Sequence, residues 1–137
     1  MAELYVGATL GPCALTVDEE VVAGYADAAA DHNPIHFNDA AAHQLGLPGR
    51  IAHGMISGAL LGRLLAAELG APWLQRGRLE LKFVRPVALG ATVTARGTVR
   101  SLRPLTIEVT VETAPDALVI VGTAVLTDLP QVTGGTR

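Results

Sequence analysis

The chain has 137 residues, of which half are hydrophobic and 17% are charged, a composition typical of a globular protein rather than a disordered one. Its formal net charge of −3 provides no basic surface for nucleic acid or for an anionic membrane. The length suits one domain, and we expect residues 1–137 to form it, with a loose tail from about residue 130.

The number of cysteines and the first residues of the chain bear on where in the cell the protein is located. Cys13 is the only cysteine, so the chain can form neither an intrachain disulfide nor a cysteine-rich zinc site. The first residues lack the basic start and apolar run of a signal peptide. No apolar stretch reaches the ~20 residues that a membrane helix needs. These features predict a cytoplasmic protein with no membrane partner.

The first third of the chain predicts one extended stretch and one helix. Residues 4–17 are expected to be extended, with turns at glycines. A helix then begins after a cap at Thr16 or Asp18 and runs to about Ala29, because acidic residues in its first turn suit the positive end of the helix dipole. A polar loop over residues 31–38 follows it.

Two further helices are predicted before the pattern changes. A short one covers residues 40–45, after an asparagine or aspartate cap. A long one, Gly54–Leu69, is apolar around most of its circumference, which is typical of a buried helix. Gly58 and Gly62 lower its helix propensity by roughly 1 kcal/mol each, so a packing reason is expected for both.

After Pro72 the hydrophobic pattern has a period of two and predicts about four antiparallel strands. They cover residues 79–83, 93–99, 105–111 and 118–126. The last stretch is apolar on both faces and is expected at the centre of the sheet or at a subunit interface. One long helix followed by these strands predicts an α+β fold, with a curved sheet wrapped around the helix.

Two short motifs carry the candidate chemistry. The sequence DHNPIH at residues 31–36 places a carboxylate and an imidazole on either side of an Asn-Pro step. Pro34 disfavours helical backbone at Asn33, so the Asp31 and His36 side chains need not point in the directions that a helix would impose. The sequence AHGM at residues 52–55 opens the long helix, where the first amides lack intrahelical acceptors. An acid/base pair and a backbone donor together suggest proton chemistry next to a carbonyl.

Together with Tyr25 and Asp39, these motifs resemble the signature of the MaoC-like, R-specific enoyl-CoA hydratases. That signature is aspartate, any residue, Asn-Pro, an aliphatic residue and histidine. The likeness extends over about residues 6–126 and includes the strand run at 79–87. It implies a hot-dog fold, a homodimer or larger homo-oligomer, and reversible hydration of trans-2-enoyl thioesters to (R)-3-hydroxyacyl thioesters. It implies no metal and no cofactor beyond the coenzyme A or carrier-protein thioester.

The resemblance also implies the roles of individual residues. Asp31 and His36 would be the catalytic pair, with one water between them. Gly54 would donate its N–H to the thioester oxygen, as a backbone oxyanion hole. Hydration requires a base for water, an acid for the α carbon and a donor for the carbonyl oxygen, and these groups supply all three.

Three further residues are candidates for substrate binding: Asn33, His53 and Ser57. Asn33 would shape the loop, and His53 would either contact substrate or make a structural hydrogen bond. Some hydratases of this type carry a serine further along the central helix, where this chain has Gly62. Any third catalytic side chain is therefore left open.

Other interpretations of the same residues stay open. The chain could be a 3-hydroxyacyl-acyl-carrier-protein dehydratase, a natural-product enzyme using the same acid/base pair, or a non-catalytic subunit that binds acyl thioesters. A metal site made by His32, His36 and Asp39 is not expected, because Pro34 interrupts the helix that would align the two histidines.

Overall fold

In the computed structural model, residues 3–127 are described, and they contain five β-strands and four α-helices. In chain order these are β1 (Thr9–Thr16), α1 (Glu19–Ala29), α2 (Asp39–Gln44), α3 (Gly54–Leu69), α4 (Ala71–Arg76), β2 (Gly77–Phe83), β3 (Thr92–Leu102), β4 (Leu105–Ala114) and β5 (Ala117–Leu126). The tail predicted from about residue 130 lies outside the described residues.

The strands form one antiparallel sheet in the order β1-β3-β4-β5-β2. The long helix α3 packs against β1, β3 and β4. Its buried leucines meet the inward-facing side chains of the strands, and the fully buried members of this core include Leu61, Leu65, Val93, Val99 and Val109. The predicted α+β arrangement, a curved sheet around a long helix, is confirmed.

The predicted helices form where their caps indicate. The Asp18 carboxylate accepts the Val21 N–H at 2.9 Å and caps α1. The Asn38 side chain accepts the Ala41 N–H at 2.9 Å and caps α2. These bonds satisfy amides that have no intrahelical acceptor. Asp18 therefore fixes the start of α1, and Asn38 fixes where the chain leaves the 31–38 loop.

Three features of the fold differ from expectation. The extended stretch before α1 is a fifth strand, β1, which pairs with β3. A helix, α4, lies between the predicted long helix and the first predicted strand, where no element was expected; Pro72 suits a first helical turn and Trp73 is buried there. One stripe of α3 is exposed, including Met55 and Arg63, so the helix is not buried all round.

The central position predicted for the last strand is confirmed, since β5 lies between β4 and β2. Gly122 of β5 sits opposite Leu81 of β2, and a Cβ built on it would overlap the backbone oxygen of Glu80. Of the two helix glycines, Gly58 is tightly surrounded by Met55 and Leu81, as expected, whereas a Cβ on Gly62 would meet open space. The packing reason predicted for Gly62 is absent from the described residues.

Within residues 3–127, no helix has both the length and the apolarity that crossing a membrane requires.

The two glycines predict opposite responses to alanine. Gly122→Ala places a methyl group against the β2 backbone and should lower the free energy of unfolding by about 1–3 kcal/mol. Gly62→Ala adds a methyl group in open space on a helix. The free energy of unfolding should therefore stay unchanged or rise by about 1 kcal/mol. Urea denaturation measures both, and equal effects would contradict this packing.

Candidate active site

Asp31 is held at the end of α1 by backbone geometry. The helix ends at Ala30, whose φ of 55° is left-handed, and the Asp31 N–H donates back to Ala26 C=O at 3.0 Å. The exposed Asp31 carboxylate accepts the Asn33 N–H at 3.3 Å, which turns the chain toward the Asn-Pro step. The carboxylate therefore lies at the protein surface in a defined turn.

His36 lies at the end of a short 3-10 turn, Pro34–His36, that the sequence did not indicate. The Asn33 side chain caps this turn by accepting the Ile35 N–H at 3.1 Å, so Asn33 shapes the loop as expected. His36 is 6% exposed. Its Nδ1 lies 2.8 Å from Ile51 C=O. Because a carbonyl only accepts, Nδ1 carries the hydrogen, and the neutral ring keeps a lone pair on Nε2.

His53 connects the two motifs. Its Nε2–H donates to the backbone C=O of Asp31 at 2.9 Å, so it makes the structural hydrogen bond that was one of its two expected roles. Its ring stacks on His36 with centroids 3.6 Å apart, and Tyr25 packs against it at 4.9 Å. Its buried Nδ1 has no hydrogen-bond partner within residues 3–127. The His53 ring thus contacts both the Asp31 backbone and the His36 ring.

These contacts bring the predicted pair together. One polar atom each from Asp31, His36 and His53 lies within 4.8 Å of the other two. Two acceptors at such a separation can each take a hydrogen bond of about 2.8 Å from one water molecule. A carboxylate oxygen and the His36 Nε2 lone pair are both acceptors. Where His36 Nε2 is the nitrogen that faces the Asp31 carboxylate, one water could therefore donate a hydrogen to each residue.

The same three side chains are poorly arranged for a metal ion. The His36 and His53 rings are stacked, with 25° between their planes. Each imidazole lone pair lies in the plane of its own ring, and two planes stacked 3.6 Å apart at 25° do not meet close to the rings, whereas the ligands of a tetrahedral ion converge on one point. That the site works without a metal stays a prediction.

Gly54 and Ser57 lie beside an apolar cavity of about 350 Å³. Gly54 is the first residue of α3, and its N–H donates no hydrogen bond within the part of the chain that is described. The Ser57 side chain is buried in the cavity wall. Most of the lining is apolar and comes from the end of β2, the segment that follows it and β5: Phe83, Val84, Pro86, Val87, Val119 and Ile120.

The structure thus joins the predicted residues in two neighbouring groups. Asp31, His36 and His53 form one, and Gly54 follows His53 directly along the chain. The sequence did not indicate that Phe83 lies against Gly54, where a Cβ would be 3.2 Å from its ring. The two-residue alternation marked Phe83 as a strand residue but carried no information on which element it meets.

The hydrogen bonds predict one exceptional histidine. His32, His43 and His53 each use Nε2 toward an oxygen that only accepts, whereas His36 uses Nδ1. In alkaline buffer, where all four rings are neutral, ¹⁵N spectra should show one Nδ1–H and three Nε2–H tautomers. Loss of the Nδ1–H signal in His36→Gln assigns it. Its persistence in that variant, or an Nε2–H tautomer at His36, would refute the orientation.

Known proteins resemble this chain in sequence and in fold. A family model described as the MaoC like domain matches residues 6–119. The chain is 37% identical over 91 residues to the (R)-specific enoyl-CoA hydratase of Rhodospirillum rubrum, which covers 66% of this chain and 63% of that protein. It is 34% identical over 110 residues to the (R)-specific enoyl-CoA hydratase of Aeromonas caviae, covering 77% and 81% respectively.

The solved structure of the Aeromonas caviae (R)-hydratase superposes with a TM-score of 0.79 at 29% identity, over 95% of this chain and 100% of that one. With other curated relatives the match is shorter. It spans 53% of a 3-hydroxybutyryl-CoA dehydratase from Methylorubrum extorquens and 51% of a mitochondrial 3-hydroxyacyl-[acyl-carrier-protein] dehydratase from Arabidopsis thaliana. The chain, with its hot-dog fold, belongs to the MaoC-like domain family.

Proposed function

We propose that this protein is a hydro-lyase that adds water to trans-2-enoyl thioesters to give (R)-3-hydroxyacyl thioesters, and that catalyses the reverse dehydration. The observation that carries the proposal is the proximity of the exposed Asp31 carboxylate to a ring nitrogen of His36, whose Nε2 keeps its lone pair, next to the free amide of Gly54. The R configuration is taken from the names of the two hydratases to which the chain is similar.

The pair orients and activates water. A water that donates one hydrogen to Asp31 and the other to His36 Nε2 turns an oxygen lone pair toward the substrate. As that oxygen forms a bond to C3, one of the two acceptors takes a proton from the water. The same proton is then delivered to C2, so that the product contains every atom of the enoyl thioester plus one water.

The remaining requirement is a site for the charge that develops on the thioester oxygen. The π electrons of the C2–C3 double bond move toward this oxygen before C2 is protonated. The Gly54 N–H, at the start of α3, would donate to it, and the helix dipole adds to the stabilisation. The apolar cavity beside Gly54 would accept the acyl chain, since its volume falls in the range of small-molecule sites.

Two properties of the substrate and the assembly belong to the same proposal. The thioester is carried by coenzyme A, and a carrier-protein-bound chain is the alternative, since names of both kinds occur among the similar proteins.

The working unit is a cytoplasmic homodimer, which would cover apolar side chains such as Phe83 and Val84 that are half-exposed in one chain. Multi-angle light scattering measures the assembly, and a monomer with full activity would contradict this part.

Removing the charge of Asp31 should abolish most of the activity. Asp31→Asn keeps the size of the side chain but weakens an acceptor for water, and kcat with crotonyl-CoA should fall by about 10²–10⁴-fold. Loss of the enoyl thioester absorbance measures the rate. Asp27→Asn, the same change on an exposed carboxylate that pairs with His32, serves as the matched control and should retain the wild-type rate.

The outcomes separate the role of the residue from the function. Full activity in Asp31→Asn would remove Asp31 from the mechanism. Failure of the wild-type protein to turn over any enoyl thioester, on coenzyme A or on carrier protein, would refute the hydro-lyase itself. Binding of acyl-CoA without turnover would then favour the non-catalytic acyl-binding alternative.

Gly54 permits a test of its backbone N–H alone. Proline lacks this N–H but is favoured at the first helical position, and His53 already has the extended backbone (φ −62°, ψ 131°) that precedes proline. Gly54→Pro should lower kcat by about 10²–10³-fold. Gly54→Ala adds a similar carbon beside Phe83 while it retains the N–H, so it is the control. Equal losses in both variants would assign the effect to crowding.

A further inference from the structure

Arg50, in the segment between α2 and α3, bridges two parts of the site that are distant in sequence. Its Nε–H donates to the backbone C=O of His36 at 3.1 Å. Its Nη1–H donates to the Glu19 carboxylate at 2.7 Å. The Arg50 side chain is 18% exposed and Glu19 is 73% exposed. The guanidinium therefore connects the first turn of α1 to the turn that carries His36.

The backbone around Arg50 strengthens this connection. The Arg50 N–H donates to the Asp39 carboxylate at 3.0 Å, at the start of α2. The next residue, Ile51, donates its N–H to Ile35 C=O at 3.3 Å and accepts the His36 Nδ1–H at 2.8 Å. Two consecutive residues thus hold both the backbone and the ring of His36.

The chemistry of the contact requires arginine. Its planar fork presents Nε–H and Nη–H groups in fixed directions, and here they serve two acceptors at once. Lysine keeps the charge but offers a single flexible ammonium group. The ion pair with Glu19 is exposed on one side, so its own contribution to folding stability is small. Its stronger effect is to restrict Arg50 to one rotamer.

We propose that Arg50 is a positioning residue, held by Glu19, that sets the orientation of His36 relative to Asp31. Its effect on the rate rests on the proposed hydration of enoyl thioesters. Its effect on the His36 tautomer does not, because the hydrogen bond to Ile51 C=O exists without substrate. The two readouts therefore separate a failure of this inference from a failure of the proposed function.

The kinetic test uses Arg50→Met and Arg50→Lys with crotonyl-CoA. Arg50→Met should lower kcat by about 10–100-fold, because a small displacement of His36 disturbs the reacting geometry. KM should stay near the wild-type value, since Arg50 touches His36 rather than substrate. Arg50→Lys should recover only part of the rate. Arg96→Met is the matched control, because Arg96 makes a similar Nε–H contact to Glu112 on the sheet.

Glu19→Ala tests the same connection from an exposed residue whose loss the fold should tolerate. Its kcat should fall less than that of Arg50→Met, and adding it to Arg50→Met should cause no further loss. Glu20→Ala is the control, because Glu20 also lies in the first turn of α1 but makes no contact with Arg50. Both variants remove one negative charge from the helix start, so the helix dipole affects them equally.

The spectroscopic test follows the His36 ring. In Arg50→Met and Glu19→Ala, the ¹⁵N signals of His36 should move from the pure Nδ1–H form toward a mixture of tautomers, while those of His43 stay unchanged. Wild-type kcat and tautomer in both variants would overturn the inference. So would a loss of rate that follows only from a lower melting temperature. If Arg50→Met does not fold, Glu19→Ala decides the question by the same two readouts.

Discussion

The hydrogen bond from His36 Nδ1–H to Ile51 C=O, 2.8 Å long, is the constraint on which the rest of the site depends. It fixes the ring and leaves Nε2 as the acceptor that the proposed hydration requires. It forms only if residues 50–52 lie beside the turn of the first motif. That segment is held from the other side as well, because Ala52 N–H donates to Val87 C=O at 2.8 Å and Leu89 N–H donates to Arg50 C=O at 3.1 Å. The site is therefore tied to the sheet through the connection between β2 and β3.

The two motifs form one physical unit. His53 holds the backbone of Asp31 and stacks on His36, and the next residue, Gly54, begins α3 with a free amide. The proposed proton-transfer pair and the Gly54 N–H are therefore connected through His53, which limits changes in the distance between them. Because α3 packs into the sheet, this segment rests on a rigid element. In the proposed reaction, the apolar cavity beyond Gly54 would determine which acyl chains are accepted.

The sequence predicted most of the fold because its signals were local. Caps and periodicity located α1, α2 and α3, and the doubly apolar stretch identified β5 as central. The extended backbone of β1 was predicted but its pairing at the edge of the sheet was not, since glycine and proline obscured its alternation. The candidate site residues were predicted by motif, but the contacts that hold them were not. Arg50 donates a hydrogen bond to His36, which lies 14 residues earlier in the chain, and no pattern in a single sequence indicates such a contact.

A crystal structure of the Asp31→Asn protein with (R)-3-hydroxybutyryl-CoA would test the proposed mechanism. The mechanism predicts that the 3-hydroxyl oxygen lies within hydrogen-bond distance of both residue 31 and His36 Nε2, where the attacking water would sit. It also predicts that the thioester oxygen accepts the Gly54 N–H and that the acyl chain enters the apolar cavity. A thioester bound with its 3-hydroxyl away from His36, or with Gly54 N–H unused, would contradict it.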